Sequence, residues 1–210
     1  MLNILRKSTA EAVSTFVLIF IGCGSIMVAE RYGIIPSLSI PWIFGLTVIA
    51  MIYALGPVSG AHMNPAVTLA LAVTKSFPKK EIIFYWFGQS VGAIVATLIL
   101  YLVLPSGKGY GATIPVIAPL FAVLLEVGLT FFLMYVILKA KGPLAALAIG
   151  LTVTICCYIG GPFTGASMNP ARSLGPALFQ NSLNCFWIYV VGPLSGAVLA
   201  ALIFLKLEKK

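Results

Sequence analysis

Apolar positions gather into six long runs along this chain, roughly Ala10–Ala29, Pro41–Pro57, Ile82–Leu104, Ala118–Leu138, Pro143–Gly160 and Phe186–Leu205. Each is as long, or nearly as long, as the about 20 helical residues needed to cross a hydrocarbon core. None alternates apolar and polar positions with period two, which argues against a transmembrane barrel. The pattern predicts an all-α membrane protein with six spanning helices. Two further apolar segments, opening at Asn64 and Asn169, are only about ten residues long and too short to span.

Composition strengthens the membrane reading. The chain is 60% hydrophobic and 9% charged, whereas a soluble domain carries about 25% charged residues. Arg6-Lys7 ahead of an apolar run resembles the start of a signal peptide, but five further spans favour a first helix that is retained. A net charge of +8 would suit an anionic partner such as nucleic acid. Its distribution argues otherwise. Threading six spans from a cytoplasmic N-terminus puts Arg6, Lys7, Lys75, Lys79, Lys80, Lys139, Lys141, Lys206, Lys209 and Lys210 on one side, and only Arg31 and Lys108 in the opposite loops. That is the positive-inside bias, with both termini cytoplasmic and no nucleic-acid partner. Arg172 belongs to neither set. Cys23, Cys156, Cys157 and Cys185 lie in or beside apolar segments without metal-type spacing, so no disulfide framework is expected and the thiols act as small apolar groups.

The chain repeats itself. Shifted by 105 residues, Gly45–Ala72 overlies Gly150–Ala177 with 15 of 28 positions identical, among them Asn64-Pro65-Ala66 and Asn169-Pro170-Ala171. Weaker echoes pair Glu11 and Thr15 with Glu126 and Thr130, and Gly88 and Gly92 with Gly192 and Gly196. Each half, approximately 1–105 and 106–210, then holds three full spans and one short segment, in one domain with no linker beyond Pro105–Pro115. Three is odd, so the second half enters the membrane from the other side, giving an inverted-topology repeat. Asn is a favoured helix N-cap and Pro a favoured first helical residue, so Asn64 and Asn169 each open a half-helix. The Gly-Pro and Ser/Thr-Gly-Ala runs ahead of them read as irregular backbone, which survives at membrane depth only when buried in protein or lining a watery cavity.

Two Asn-Pro-Ala boxes on an inverted repeat resemble the aquaporin, or major intrinsic protein, family over essentially the whole chain. GASMNPARSLGPA at 165–177 and IGCGS at 21–25 look most like its nodulin-26-like branch and bacterial relatives. The resemblance implies an aquaporin-like fold of six tilted helices and two re-entrant half-helices. It also implies a multi-pass protein of the cell membrane (inner or plasma) and a homotetramer with one pore per protomer. Such a protein is a passive channel for water and small uncharged solutes that excludes protons and ions.

Within that fold each half-helix presents about +0.5 charge at its N-terminus. The amides of Asn64 and Asn169 cap their helices with oxygen and donate from nitrogen into the lumen. Arg172, the sole charge of its segment, is expected to form the outer constriction with Phe44, Cys157 and Ala166, by spacing within the family motifs. Water-selective members carry His where Cys157 stands, so this filter reads as wider and less polar. Glycerol conductors usually carry Asp after the Arg, where this chain has Ser173, so the filter is mixed. The expected solutes are water, glycerol-like polyols and neutral metalloid acids, with a water-only pore as the alternative. Glu11 and Glu126 read as structural acids that accept N–H groups from the irregular loops, because buried polar groups need partners. His62 reads as a packing residue near the cytoplasmic mouth, with pH sensing as the alternative. The glycines at 88, 92, 192 and 196 read as allowing close helix contact. No catalytic set, metal ligand cluster or cofactor motif is present, which argues against an enzyme. A secondary transporter shares inverted repeats and broken helices but wants midplane charges to couple ions.

Overall fold

In the computed structural model, residues 2–104 and 109–208 are described; Lys108, Lys209, Lys210 and part of the Pro105–Pro115 loop lie outside them. The described residues form α1 (Leu2–Tyr32), α2 (Ile40–Ser59), α3 (Pro65–Val73), α4 (Ile82–Val103), α5 (Pro119–Lys139), α6 (Ala145–Thr164), α7 (Pro170–Gln180) and α8 (Ile188–Glu208). Six of these are long and apolar enough to cross a membrane, and α3 and α7 are the two half-helices. The predicted spans of α1 and α2 fall inside the observed helices and the other four overrun one end by one or two residues; α1 extends furthest beyond its apolar run, to include Arg6 and Lys7.

One expectation needs correction. The Gly56-Pro57 and Gly161-Pro162 pairs are helical, in the last turns of α2 and α6. A proline there removes one N–H, yet the turn still closes, through Gly60 N to Gly56 O and Gly165 N to Gly161 O, 2.9 and 3.0 Å. Irregular backbone starts one turn later, at Gly60 (φ 92°) and Gly165 (φ 79°). These left-handed C-caps need a residue without a Cβ.

The packing follows from the solvent. Lipid tails offer no hydrophobic drive between helices, so close approach and internal hydrogen bonds hold the bundle. In α1 the residues at 11, 15, 18, 22 and 25, one helical face, are buried and include Glu11, Thr15, Gly22 and Ser25. Val13, Phe20 and Ile21 point outward. A Cβ on Gly92 would collide with the Ala12 carbonyl, and one on Gly196 with the Val127 carbonyl. α1 therefore packs closely on α4 as α5 packs on α8, and α2 packs on α6. Each half-helix leans on the last helix of the opposite half, α3 on α8 and α7 on α4. Ion pairs Lys7–Glu81 (3.0 Å) and Lys139–Glu208 (2.7 Å) join helix ends within the predicted basic set.

Candidate functional site

The two half-helices meet end to end. Asn64 and Asn169 have extended backbone (φ −154° in both) and cap their own helices. The Asn64 oxygen accepts from Ala66 N, and the Asn169 oxygen accepts from Ala171 N and Arg172 N. Their nitrogens cross over: Asn64 Nδ2 donates to the Met168 carbonyl at 2.8 Å and Asn169 Nδ2 to the Met63 carbonyl at 2.7 Å. The sequence suggested amides free to donate into the lumen. One hydrogen of each amide is instead spent tying the repeats together, which leaves one per Asn.

The loops before the boxes share one conformation. Ala61 and Ala166 have φ 45°, and Met63 and Met168 have φ 52°. Non-glycine residues in this region cost about 1–3 kcal/mol each, so the surroundings must enforce them. Glu11 does so in the first half: Oε1 accepts from His62 N (2.9 Å) and Ser59 Oγ (2.7 Å), and Oε2 from Met63 N (2.8 Å) and Gln89 Nε2 (2.8 Å). Glu126 does so in the second: Oε1 accepts from Ser167 N (2.9 Å) and Thr164 Oγ1 (2.7 Å), and Oε2 from Met168 N (2.7 Å). Both acids are fully buried. Tyr85 and Tyr189 brace the same corners by donating to the Ser59 and Thr164 carbonyls. Both loops, Gly60 to Met63 and Ala166 to Met168, line one cavity.

That cavity, about 270 Å³, brings together Phe44 of α2, Cys157 of α6, Ala166 of the second loop and Arg172 of α7 with Asn64 and Asn169. The Arg172 guanidinium carbon lies 5.2 Å from the Phe44 ring centroid, and Nη1 donates to the Gly111 carbonyl at 2.6 Å. The counterparts of the four residues after the 105-residue shift, Ile149, Ile52, Ala61 and Val67, line the same cavity and are all apolar. Leu18, Val48, Leu133 and Val153 complete the apolar wall. His62 combines packing with a place on the wall. Its ring sits 5.1 Å from Phe77 and 5.0 Å from Tyr85, and Nδ1 is 3.1 Å from Thr68 Oγ1. Ser173 does not face the cavity; its hydroxyl joins Thr113 and Ser167, each at 2.6 Å.

Sequence reasoning missed several supports. Ser59 and Thr164, and the apolar counterparts at 52, 61 and 149, could have been found by carrying the 105-residue shift through every candidate. Gly111, which anchors Arg172, sits in a loop without periodicity and gives no such signal.

Comparison with known proteins bears on the family and the fold. The sequence profile of the major intrinsic protein family matches residues 1–204. Nodulin-26 from Glycine max is 41% identical, over 95% of this chain and 77% of its own length. Aquaporin NIP1-1 from Oryza sativa subsp. japonica is 42% identical, over 94% of this chain and 72% of its own. The X-ray structure of the aquaglyceroporin from Plasmodium falciparum superposes with a TM-score of 0.86 at 27% identity, covering 96% of this chain and 95% of that one.

Proposed function

Because the chain belongs to the major intrinsic protein family, we propose that its cavity conducts water together with small uncharged polyhydroxy solutes such as glycerol. The family consists of passive channels rather than enzymes, and six span-length helices make this a multi-pass protein of the lipid bilayer. The observation that carries the solute range is the two-sided wall beside Arg172. The guanidinium, the Asn amides and the loop backbone offer hydrogen bonds, while Phe44, Cys157, Val48 and Val153 offer carbon and sulfur surface. A polyol has one hydroxylated edge and one C–H edge, and pockets recognise such molecules with a few placed polar groups on an apolar lining. Neutral metalloid hydroxy acids share the hydroxyl groups, though not the C–H edge.

In this reading Phe44, Cys157, Ala166 and Arg172 form the filter, and the Asn-Pro-Ala boxes form the proton barrier. Two positive helix ends and two remaining amide hydrogens at one point repel cations and orient passing water so that its donor chain is interrupted. The chain is one channel domain with repeats of approximately 1–105 and 106–210. It assembles as a homotetramer in the cell membrane with both termini cytoplasmic, as the one-sided basic charge favours.

Stopped-flow swelling of proteoliposomes tests the solute range. Water and glycerol rates are both expected well above those of protein-free vesicles, without saturation or ion dependence. Fast water with glycerol at the protein-free rate would return the protein to the water-only alternative. Saturation would favour a carrier, but Glu11 and Glu126, the acids a carrier would use for coupling, face the loops rather than the cavity.

Mercurials provide a second test. Of the four thiols only Cys157 lines the cavity; Cys23 and Cys156 are buried away from it, and Cys185 sits near the Ser182 carbonyl. Mercury is expected to block the wild type and leave Cys157→Ser conducting. Equal sensitivity of the two proteins would remove Cys157 from the pore wall.

A further inference from the structure

The Phe44 ring occupies the space that a side chain at position 22 would need. A Cβ built on Gly22 would stand 2.6 Å from Phe44 Cζ and 2.8 Å from Cδ1, and closer still to Cε1. Side-chain carbons do not approach one another that closely. The ring thus lies against the bare backbone of α1, with the Arg172 guanidinium 5.2 Å from its centroid. The helix carrying the ring cannot step back. Gly45, the next residue, packs on α6 so tightly that a Cβ there would be 2.5 Å from the Gly150 carbonyl oxygen. A Cβ on Gly150 would be 2.5 Å from the Gly45 oxygen. α2 is held between α1 and α6, so crowding at position 22 is relieved by rotation of the Phe44 side chain toward the cavity.

We infer that Gly22 is a specificity-determining positioning residue: its missing side chain holds Phe44 back and sets the aperture beside Arg172. This rests on the reading of Phe44 as a filter wall. Gly22 touches no permeant. It acts through the ring, and its neighbourhood belongs to the IGCGS string whose role the boxes leave unexplained.

The test is the ratio of glycerol to water permeability measured in the same proteoliposomes, for Gly22→Ala, Phe44→Leu and the double variant. A loss of folded protein lowers both rates together and leaves the ratio unchanged, whereas a narrowed filter lowers the ratio. Gly22→Ala is expected to lower it by about tenfold, the lower range for one methylene of misfit in a pocket. Phe44→Leu, which removes Cε1, Cε2 and Cζ, is expected to raise it. In the double variant the ratio is expected to match Phe44→Leu within about twofold, because the two ring atoms nearest the added methyl group, Cε1 and Cζ, are gone and the leucine Cδ1 is free to turn away from it. A wild-type ratio in Gly22→Ala alongside a raised ratio in Phe44→Leu would overturn this inference and keep Phe44 as the filter wall. An unchanged ratio in Phe44→Leu would overturn the filter reading and the inference with it. Should Gly22→Ala fail to insert, a double variant that inserts and conducts supports the same clash. A double variant whose ratio stays well below that of Phe44→Leu shows the added methyl group acting through something other than the ring, and overturns it.

Discussion

Glu126→Ala is expected to be among the most damaging single substitutions in this protein. The change removes the acceptor for Ser167 N, Met168 N and Thr164 Oγ1 and leaves them inside a bundle where Glu126 itself is fully buried. Each orphaned donor costs about 1–3 kcal/mol, so the loss over the three is roughly 3–9 kcal/mol. Water cannot compensate from lipid. The same bonds hold Ala166 and Met168 at φ 45° and 52°, so the loop relaxes toward ordinary backbone and withdraws the Met168 carbonyl from Asn64. Thermal unfolding in detergent should show the midpoint falling by about 6 °C or more, at 2–4 °C per kcal/mol for a chain of this size. Osmotic water permeability should fall to the protein-free level. Glu11→Ala is expected to behave alike, since four donors converge on that side chain. A Glu126→Ala protein that unfolds within about 2 °C of the wild type and still conducts would mean that the loop keeps its shape without the carboxyl group.

Arg172→Val has the largest expected effect on selectivity. It places at 172 the residue found at the pseudo-symmetric position, Val67, and so makes both ends of the cavity apolar. A unit charge repels a cation about 4 Å away by roughly 4 kcal/mol at an effective dielectric of 20, equivalent to two or three orders of magnitude in cation entry. The half-helix ends and the Asn amides persist as a second barrier. The measured leak is therefore expected to rise by about tenfold rather than without limit, because the two barriers act in series. Proton flux after a pH jump, read by a trapped dye with the membrane potential clamped, reports the effect. Water permeability should remain near that of the wild type. If the leak does not change, Arg172 contributes no barrier, and exclusion rests on the midplane alone. Part of any loss of folded protein in this variant is expected from the Gly111 carbonyl, which loses its 2.6 Å donor.

Much of the architecture was legible before any coordinates. Six runs of length near that of a membrane crossing, an odd number per repeat, and Asn-Pro at the head of two short segments lead to an inverted bundle with facing half-helices. The main discrepancy, helical Gly56-Pro57 and Gly161-Pro162, arose because proline and glycine read as breakers in sequence. Near a C-terminus a proline costs only one hydrogen bond, and the left-handed residue at 60 or 165 ends the helix instead. The roles of Glu11 and Glu126 could be anticipated because a buried acid needs donors, and the irregular loops are where unpaired amides occur.

The sequence by itself thus determined the spans, the repeat and the half-helices. Each follows from periodicity, parity or a local backbone preference that acts within a few residues. Tertiary structure alone decided how those residues meet. Only the fold places the Met63 carbonyl against Asn169, Gly111 against Arg172 and Gly22 behind Phe44. These contacts join positions 106, 61 and 22 residues apart, distances over which no local preference operates. In a bilayer, where lipid satisfies no polar group and van der Waals fit replaces hydrophobic drive, such contacts set the width of the pore. The aperture at Phe44 therefore depends on a residue without a side chain on another helix.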